Sequence, residues 1–159
     1  MQKPKILVVY YSRSGTTRRI AEALSAALES SVEEVLETRD RTGILGYWRS
    51  LVEAGTKQAA GILPARNDPS AFNLVVIGTP VWAWSVSSPV RAYLSANKQR
   101  LPEVAFFCTM GGRGSATAFA QMQEIAGKAP LATCALTAGE TAPGRRNSRL
   151  SAFVEALKK

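Results

Sequence analysis

Four short apolar runs constrain this chain most: Lys5–Tyr11, Phe72–Gly78, Val104–Thr109 and Leu131–Thr137. Each is nearly continuous. A strand with one wet face alternates apolar and polar residues, whereas a strand covered on both faces does not, and such strands are usually parallel. A fifth run, Val32–Glu37, does alternate and is expected at a sheet edge. Parallel neighbours need a crossover, most often a helix, and helical stretches lie between the runs. Thr17–Leu28 places Ile20, Ala21, Leu24, Ala27 and Leu28 on one face. Val86–Ala96 and Ala116–Ala126 follow the next two long runs, and Asn147–Leu157 closes the chain with Leu150, Phe153, Val154 and Leu157 at helical spacing. Ile44–Ala60 also reads as helix, weakened by Gly46 and Gly55. Alternation of this kind predicts an α/β domain, doubly wound, with helices on both faces of a parallel sheet. At 159 residues, one domain over 1–159 is expected. Ligands of such sheets bind outside the carboxyl ends of the strands.

Composition narrows the chemistry. There is no histidine, which removes the commonest general base and the commonest transition-metal ligand, and no metal site is expected. Cys108 and Cys134 each sit inside an apolar run without Cys-x-x-Cys spacing, so they read as small buried hydrophobes rather than a redox pair. No side chain stands out as an independent catalyst. The formal charge is +8, uneven along the chain: residues 1–80 carry ten basic and eight acidic side chains, residues 81–159 ten and four. A basic surface favours anionic ligands, acidic partners or membrane surfaces. No nucleic-acid-binding motif is visible, so nucleic acid is not an expected partner. No apolar run approaches the roughly 20 residues of a membrane span. Met1–Pro4 leads straight into the first run without an apolar signal segment, so a cytoplasmic location is expected.

Residues 12–17 follow the first run and open the first helix. Ser12, Ser14, Thr16 and Thr17 supply four hydroxyls within six residues, and Gly15 permits a tight turn and close backbone approach. A helix start adds free N–H groups and the positive end of the dipole. Together these suit a phosphate dianion. Arg13, Arg18 and Arg19 add positive charge; the last two oppose the dipole, which suggests an anion that offsets them. The plain alternative is a helix cap, which needs only one hydroxyl. The Gly-x-x-x-x-Gly-Lys-Ser/Thr loop and the Gly-x-Gly-x-x-Gly fingerprint are both absent.

Tyr11-Ser12-Arg13-Ser14-Gly15-Thr16-Thr17 resembles the phosphate loop of the flavodoxin family, Thr/Ser-x-Thr/Ser-Gly-x-Thr in broad form. The resemblance extends over the whole chain. It implies a five-stranded parallel sheet of order 2-1-3-4-5, FMN as cofactor, and contact of Ser12, Arg13, Ser14, Gly15, Thr16 and Thr17 with the flavin 5′-phosphate. The segment Gly78–Ser85 resembles the family's first isoalloxazine loop, with Thr79, Pro80, Val81, Trp82, Ala83 and Trp84 as candidate contacts. Two tryptophans at i and i+2 offer flat faces to a planar ring, although either could instead pack into the core. Thr109–Ser115 resembles the second such loop. Thr109, Met110, Gly111, Gly112 and Gly114 are the candidates there, and a flexible turn is the alternative. Arg41–Ser50 also resembles a family segment; Tyr47 and Trp48 read as flavin or partner contacts, or as helix-to-sheet packing.

Two departures matter. Many electron-carrying flavodoxins have a glycine beside flavin N5 whose peptide flips on reduction. Residues 79–85 contain none, and a positive φ at Trp82 or Ala83 costs on the order of 1 kcal/mol or more, so weak stabilisation of the half-reduced flavin is expected. Met110 and Arg113 stand where the family often has tyrosine and acidic residues; positive charge there favours the anionic reduced flavin and raises the potential.

The resemblance implies an electron carrier, a monomer or weak dimer, shuttling electrons between redox partners; the basic surface points to an acidic partner. An NAD(P)H-dependent FMN or quinone reductase on the same fold is the alternative, with basic residues holding the nucleotide phosphate. A flavin-free receiver domain would need acidic residues at the ends of strands one and three, where Tyr11-Ser12 and Gly78-Thr79 stand instead.

Overall fold

The computed structural model describes residues 3–37, 61–142 and 147–159. The helix expected over 44–60, with Tyr47 and Trp48, lies outside them. Strand β1 spans Ile6–Tyr10, β2 Ser31–Glu34, β3 Leu74–Trp82, β4 Ser85–Val86, β5 Glu103–Met110 and β6 Thr133–Thr137. Helix α1 spans Thr16–Leu28, α2 Ser88–Asn97, α3 Ser115–Ala126 and α4 Ser148–Lys158. The sheet order is β2-β1-β3-β5-β6, all parallel, with β4 paired antiparallel to the end of β3. Leaving out β4, this is the expected five-stranded 2-1-3-4-5 order, with the alternating run at the edge.

Helices cover both faces, and residue parity along the strands assigns each side chain to a face. Ile6, Val8, Tyr10, Leu74, Val76, Ala105 and Phe107 pack against Ile20, Ala21, Leu24 and Leu28 of α1 and Phe153, Val154 and Leu157 of α4. Leu7, Val9, Val75, Ile77, Val104 and Phe106 pack against Val90, Tyr93 and Leu94 of α2 and Met122 and Ala126 of α3. Burying each large side chain contributes about 1.5–3 kcal/mol, and truncating one such as Leu24 to alanine should cost about 2–5 kcal/mol. Ala27, expected on the apolar face of α1, is exposed. Leu28 completes that face one turn after Leu24, leaving position 27 on the flank.

Two differences from the expected boundaries bear on the sheet edge. The helix expected from Val86 begins at Ser88, with Pro89 in its first turn, because Val86 pairs with Val81. The segment expected as a loop after Gly78 continues as strand to Trp82. The register explains the extension: Thr79 and Pro80 still find partners in Cys108 and Thr109 of β5, while β1 pairs only as far as Tyr10 opposite Gly78. Among the described residues no helix is long and apolar enough to cross a membrane, and no cluster of His, Cys, Asp and Glu could hold a metal ion.

Candidate functional site

The carboxyl ends of β1, β3, β5 and β6 meet at one sheet edge. Gly15 caps α1 in the left-handed region (φ 98°), where an L side chain is disfavoured. Its N–H donates to Ser12 Oγ (3.0 Å), curling the loop back on itself. No side chain caps the helix start, and its first turn carries no acidic residue, so N–H donors and the positive dipole end remain directed at the loop. Thr17 is buried, and its hydroxyl lies 2.9 Å from that of Thr109 at the end of β5. The pair shares one hydrogen, leaving the other free to donate. Ser14 Oγ and Thr16 Oγ1 lie 3.3 Å apart in the open.

The two arginines that opposed the helix dipole have partners within the protein. Arg18 pairs with Glu34 of β2 at 2.7 Å and donates to the Tyr10 hydroxyl. Arg19 donates to the Thr141 carbonyl at 3.4 Å. Within the protein, Arg18 thus has a sheet-edge carboxylate as partner and Arg19 a turn carbonyl. Burial pushes the Tyr10 phenol upward against the pull of Arg18.

The second wall is a β-hairpin. Val81 pairs with Val86 and Trp82 with Ser85, so Ala83 and Trp84 form the turn. Both adopt left-handed backbone, φ 50° and 69°. Two-residue hairpin turns favour that conformation because it matches strand twist, and Asn-Gly normally supplies it. Ala and Trp at those positions carry roughly 1–2 kcal/mol each of local strain. The positive φ that the missing glycine made costly is thus already adopted.

Three contacts hold the turn. The Thr79 hydroxyl is buried, donates to Ser87 Oγ (2.9 Å) and accepts from Ser87 N–H (3.1 Å). Gln121 of α3 accepts from Val86 N–H at 2.9 Å and donates to Ser85 Oγ at 3.3 Å. Gly114 caps α3 at φ 106°, and a Cβ there would lie 2.9 Å from both Trp84 Cα and Val81 Cγ1. Neither tryptophan is core: Trp82 is 37% exposed and Trp84 56%. The Trp82 ring meets Tyr11 edge-on at 5.8 Å, and the Arg13 guanidinium lies 5.7 Å from its centroid, a cation–π contact.

These elements enclose an open cleft of about 260 Å³ lined by Arg13, Ser14, Thr16, Thr17, Pro80, Val81, Trp82, Thr109, Met110, Gly111 and Ala138. Ten of those eleven were candidates from sequence. The other seven candidates do not line it. Ser12 and Gly15 shape the loop. Thr79 turns inward to Ser87, while Ala83 and Trp84 form the hairpin tip. Gly112 is exposed, and Gly114 packs under the hairpin. Ala138, which begins the turn after β6, escaped the sequence reading. Its signal was positional, since β6 ends at the same edge as the other strands.

Arg13 is the one charged side chain of the lining, and no carboxylate, thiol or amine among the described residues projects there to transfer a proton. Both cysteines are buried. Burial pushes the Cys108 thiol up to about 12 and Cys134 to about 11, so neither is a nucleophile near neutrality. The cleft thus has one hydroxyl-rich end beside Arg13 and one wall formed by Pro80, Val81 and Trp82.

Comparison with known proteins agrees with this geometry. A family model described as flavodoxin matches residues 5–155. Among solved structures, a flavoprotein in complex with FMN from Lactobacillus acidophilus is 26% identical, with a TM-score of 0.66 over 86% of this chain and 95% of that one. A solved structure from Bacteroides eggerthii gives a TM-score of 0.70 at 20% identity over 98% and 99%. The two-electron reduced flavodoxin of Megasphaera elsdenii gives 0.62 at 17% identity over 96% and 98%. No curated protein sequence matches the chain.

Proposed function

This chain belongs to the flavodoxin family, and we propose that it binds FMN in the cleft at the carboxyl edge of the sheet and carries electrons between redox partners. The reading rests on one observation: a hydroxyl-rich helix start and an aromatic–glycine wall open into the same 260 Å³ cleft. A phosphate fits the first pole. Ser14, Thr16 and the free hydrogen of the Thr17–Thr109 pair donate, the N-terminal amides of α1 add fixed donors, Ser12 and Gly15 hold the loop, and Arg13 supplies charge. A planar ring fits the second. Pro80, Val81 and Trp82 form one side, and Met110 and Gly111 bring backbone close to the other.

Bound flavin supplies the electron-accepting chemistry. The protein's residues bind it, orient it and exclude water from one face. Ala83 and Trp84 at the hairpin tip stand at the rim, where a partner would meet the ring. Arg113, next in the chain to the Gly114 that packs against Trp84, is exposed. With Arg13, it gives this rim a positive charge that suits an acidic redox protein. We read the chain as one domain over 1–159 acting in the cytoplasm as a monomer or weak dimer.

The purified chain should be yellow and release one FMN per chain on denaturation. A colourless preparation that FMN fails to restore would sink the reading. Electron transfer to an acidic partner protein should slow severalfold with added salt and with Arg13→Gln combined with Arg113→Gln. Insensitivity to salt rules out the charged rim.

A further inference from the structure

Gln121 lies outside the cleft, at the end of the second turn of α3, yet it makes both polar side-chain contacts between that helix and the hairpin. Its carboxamide oxygen accepts from Val86 N–H at 2.9 Å, and its nitrogen donates to Ser85 Oγ at 3.3 Å. Seven residues earlier on the same helix, Gly114 sits under Trp84 and Val81, with room for no Cβ. Seven residues are two helical turns, so both contacts fall on one face of α3. The hairpin is thus pressed on Gly114 at its tip and pinned by Gln121 at its returning strand.

Between those two points are Ala83 and Trp84, both in the left-handed region that neither residue prefers. A two-residue hairpin without glycine should relax once its tertiary contacts are loosened. Trp82, paired with Ser85, would move with it. Met110 ends β5 and Gly111 starts the loop that opens α3, both lining the cleft, so α3 links both walls of the site.

We propose that Gln121 is a positioning residue for the flavin ring: its carboxamide locks the 79–86 hairpin to α3, holding Trp82 and Val81 at a set distance from the loop after β5. The proposal rests on the FMN reading for its ligand, but its mechanical half concerns this chain alone.

The test uses the full-length apoprotein, titrated with FMN and with riboflavin by flavin-fluorescence quenching. Gln121→Met, of similar length but unable to make either hydrogen bond, should weaken both flavins by about the same factor, tenfold or more. A loss confined to FMN, or no loss, overturns the proposal. In the Gln121→Met background, adding Ala83→Gly should recover about fivefold of the affinity, because glycine holds the turn without the clamp. The same change in the parent chain should move affinity less than twofold, and equal effects in the two backgrounds overturn the coupling.

If Gln121→Met fails to fold, Gln121→Glu serves. It retains the acceptor for Val86 N–H and should show the smaller loss, again equal for the two flavins; a loss for FMN alone overturns the proposal here too. Amide hydrogen exchange at Val86 separates this idea from the flavin reading. Without any ligand, Gln121→Met should exchange at Val86 at least tenfold faster, while core amides of β1 and β5 are unchanged. If the parent chain binds no flavin yet Val86 responds this way, the FMN reading fails and the clamp stands. If flavin binds and Val86 does not respond, the clamp fails.

Discussion

The two walls of the cleft are built on opposite plans. The 12–17 loop is local: its hydroxyls, its glycine and the helix it opens lie within a few residues, and Ser12 closes the turn onto Gly15. The 79–86 hairpin is remote. Its conformation runs against the preferences of Ala83 and Trp84, and it is held by Gly114 and Gln121 some thirty residues away. A local site tolerates changes elsewhere in the fold, whereas a clamped one transmits them. The phosphate pole should therefore be robust and the ring wall tunable.

The sharpest way to break this contrast uses two glycines with nearly the same conformation. Gly15 and Gly114 both cap helices, at φ 98° and 106°. A Cβ at Gly15 meets nothing within 4 Å, whereas at Gly114 it meets the hairpin at 2.9 Å. Both alanine variants carry about 1–2 kcal/mol of backbone strain, and Gly114→Ala adds about 1–3 kcal/mol of overpacking. Urea unfolding should therefore rank Gly114→Ala clearly below Gly15→Ala. Equal midpoints would mean the hairpin yields freely and the contrast is false.

Ligand selectivity sharpens it next. Ser14→Ala with Thr16→Ala should weaken FMN by about 10–100-fold, since hydrogen bonds to a charged group contribute about 1.5–3 kcal/mol, and leave riboflavin unchanged. Trp82→Ala should weaken both flavins alike. Calorimetric titration of each variant with each flavin reads the pattern, and a shared loss in the hydroxyl variant would merge the two poles.

A smaller effect follows from strain alone. Ala83→Gly should raise stability by up to about 1 kcal/mol, less whatever chain entropy glycine adds in the unfolded state. No gain in the urea midpoint would mean the turn is unstrained.

The last concerns pH. Folding raises both thiols, Cys108 to about 12 and Cys134 to about 11, while an unfolded cysteine titrates near 8.5. A raised folded value means stability that is complete below the unfolded one and lost as pH climbs through about 9 toward 11–12. Cys108→Ala with Cys134→Ala should flatten the urea midpoint between pH 8 and 10.5, and an unchanged slope refutes the assignment. Native protein at pH 8 should also resist a thiol reagent until denaturant is added.

Much of this was open to reading from sequence. The near-continuous runs at 5–11, 72–78, 104–109 and 131–137 marked strands covered on both faces, because burial on two sides leaves no wet face to mark with polar residues. The hydroxyl cluster before Thr17 marked the hydroxyl-rich end of the cleft, because its donors are neighbours in the chain. Met110 and Gly111 were found by position, at and just past the end of β5. The hairpin at 79–86 was not legible, because its turn lacks the Asn-Gly signal and its hydrogen bonds come from α3. The partners of Arg18 and Arg19 were equally hidden, since Glu34 and Thr141 come to them only when β2 and the turn after β6 are in place.

The chain's own sequence thus determined the layered α/β architecture, its strand set and the hydroxyl-rich start of α1, since periodicity and helix capping act over a few residues. Tertiary structure alone decided which candidate side chains face the cleft, that Thr79 and Thr17 spend their hydroxyls on internal ties, and that Ala83 and Trp84 hold a left-handed turn. Those outcomes depend on contacts between residues far apart in the chain, where packing overrides local preference.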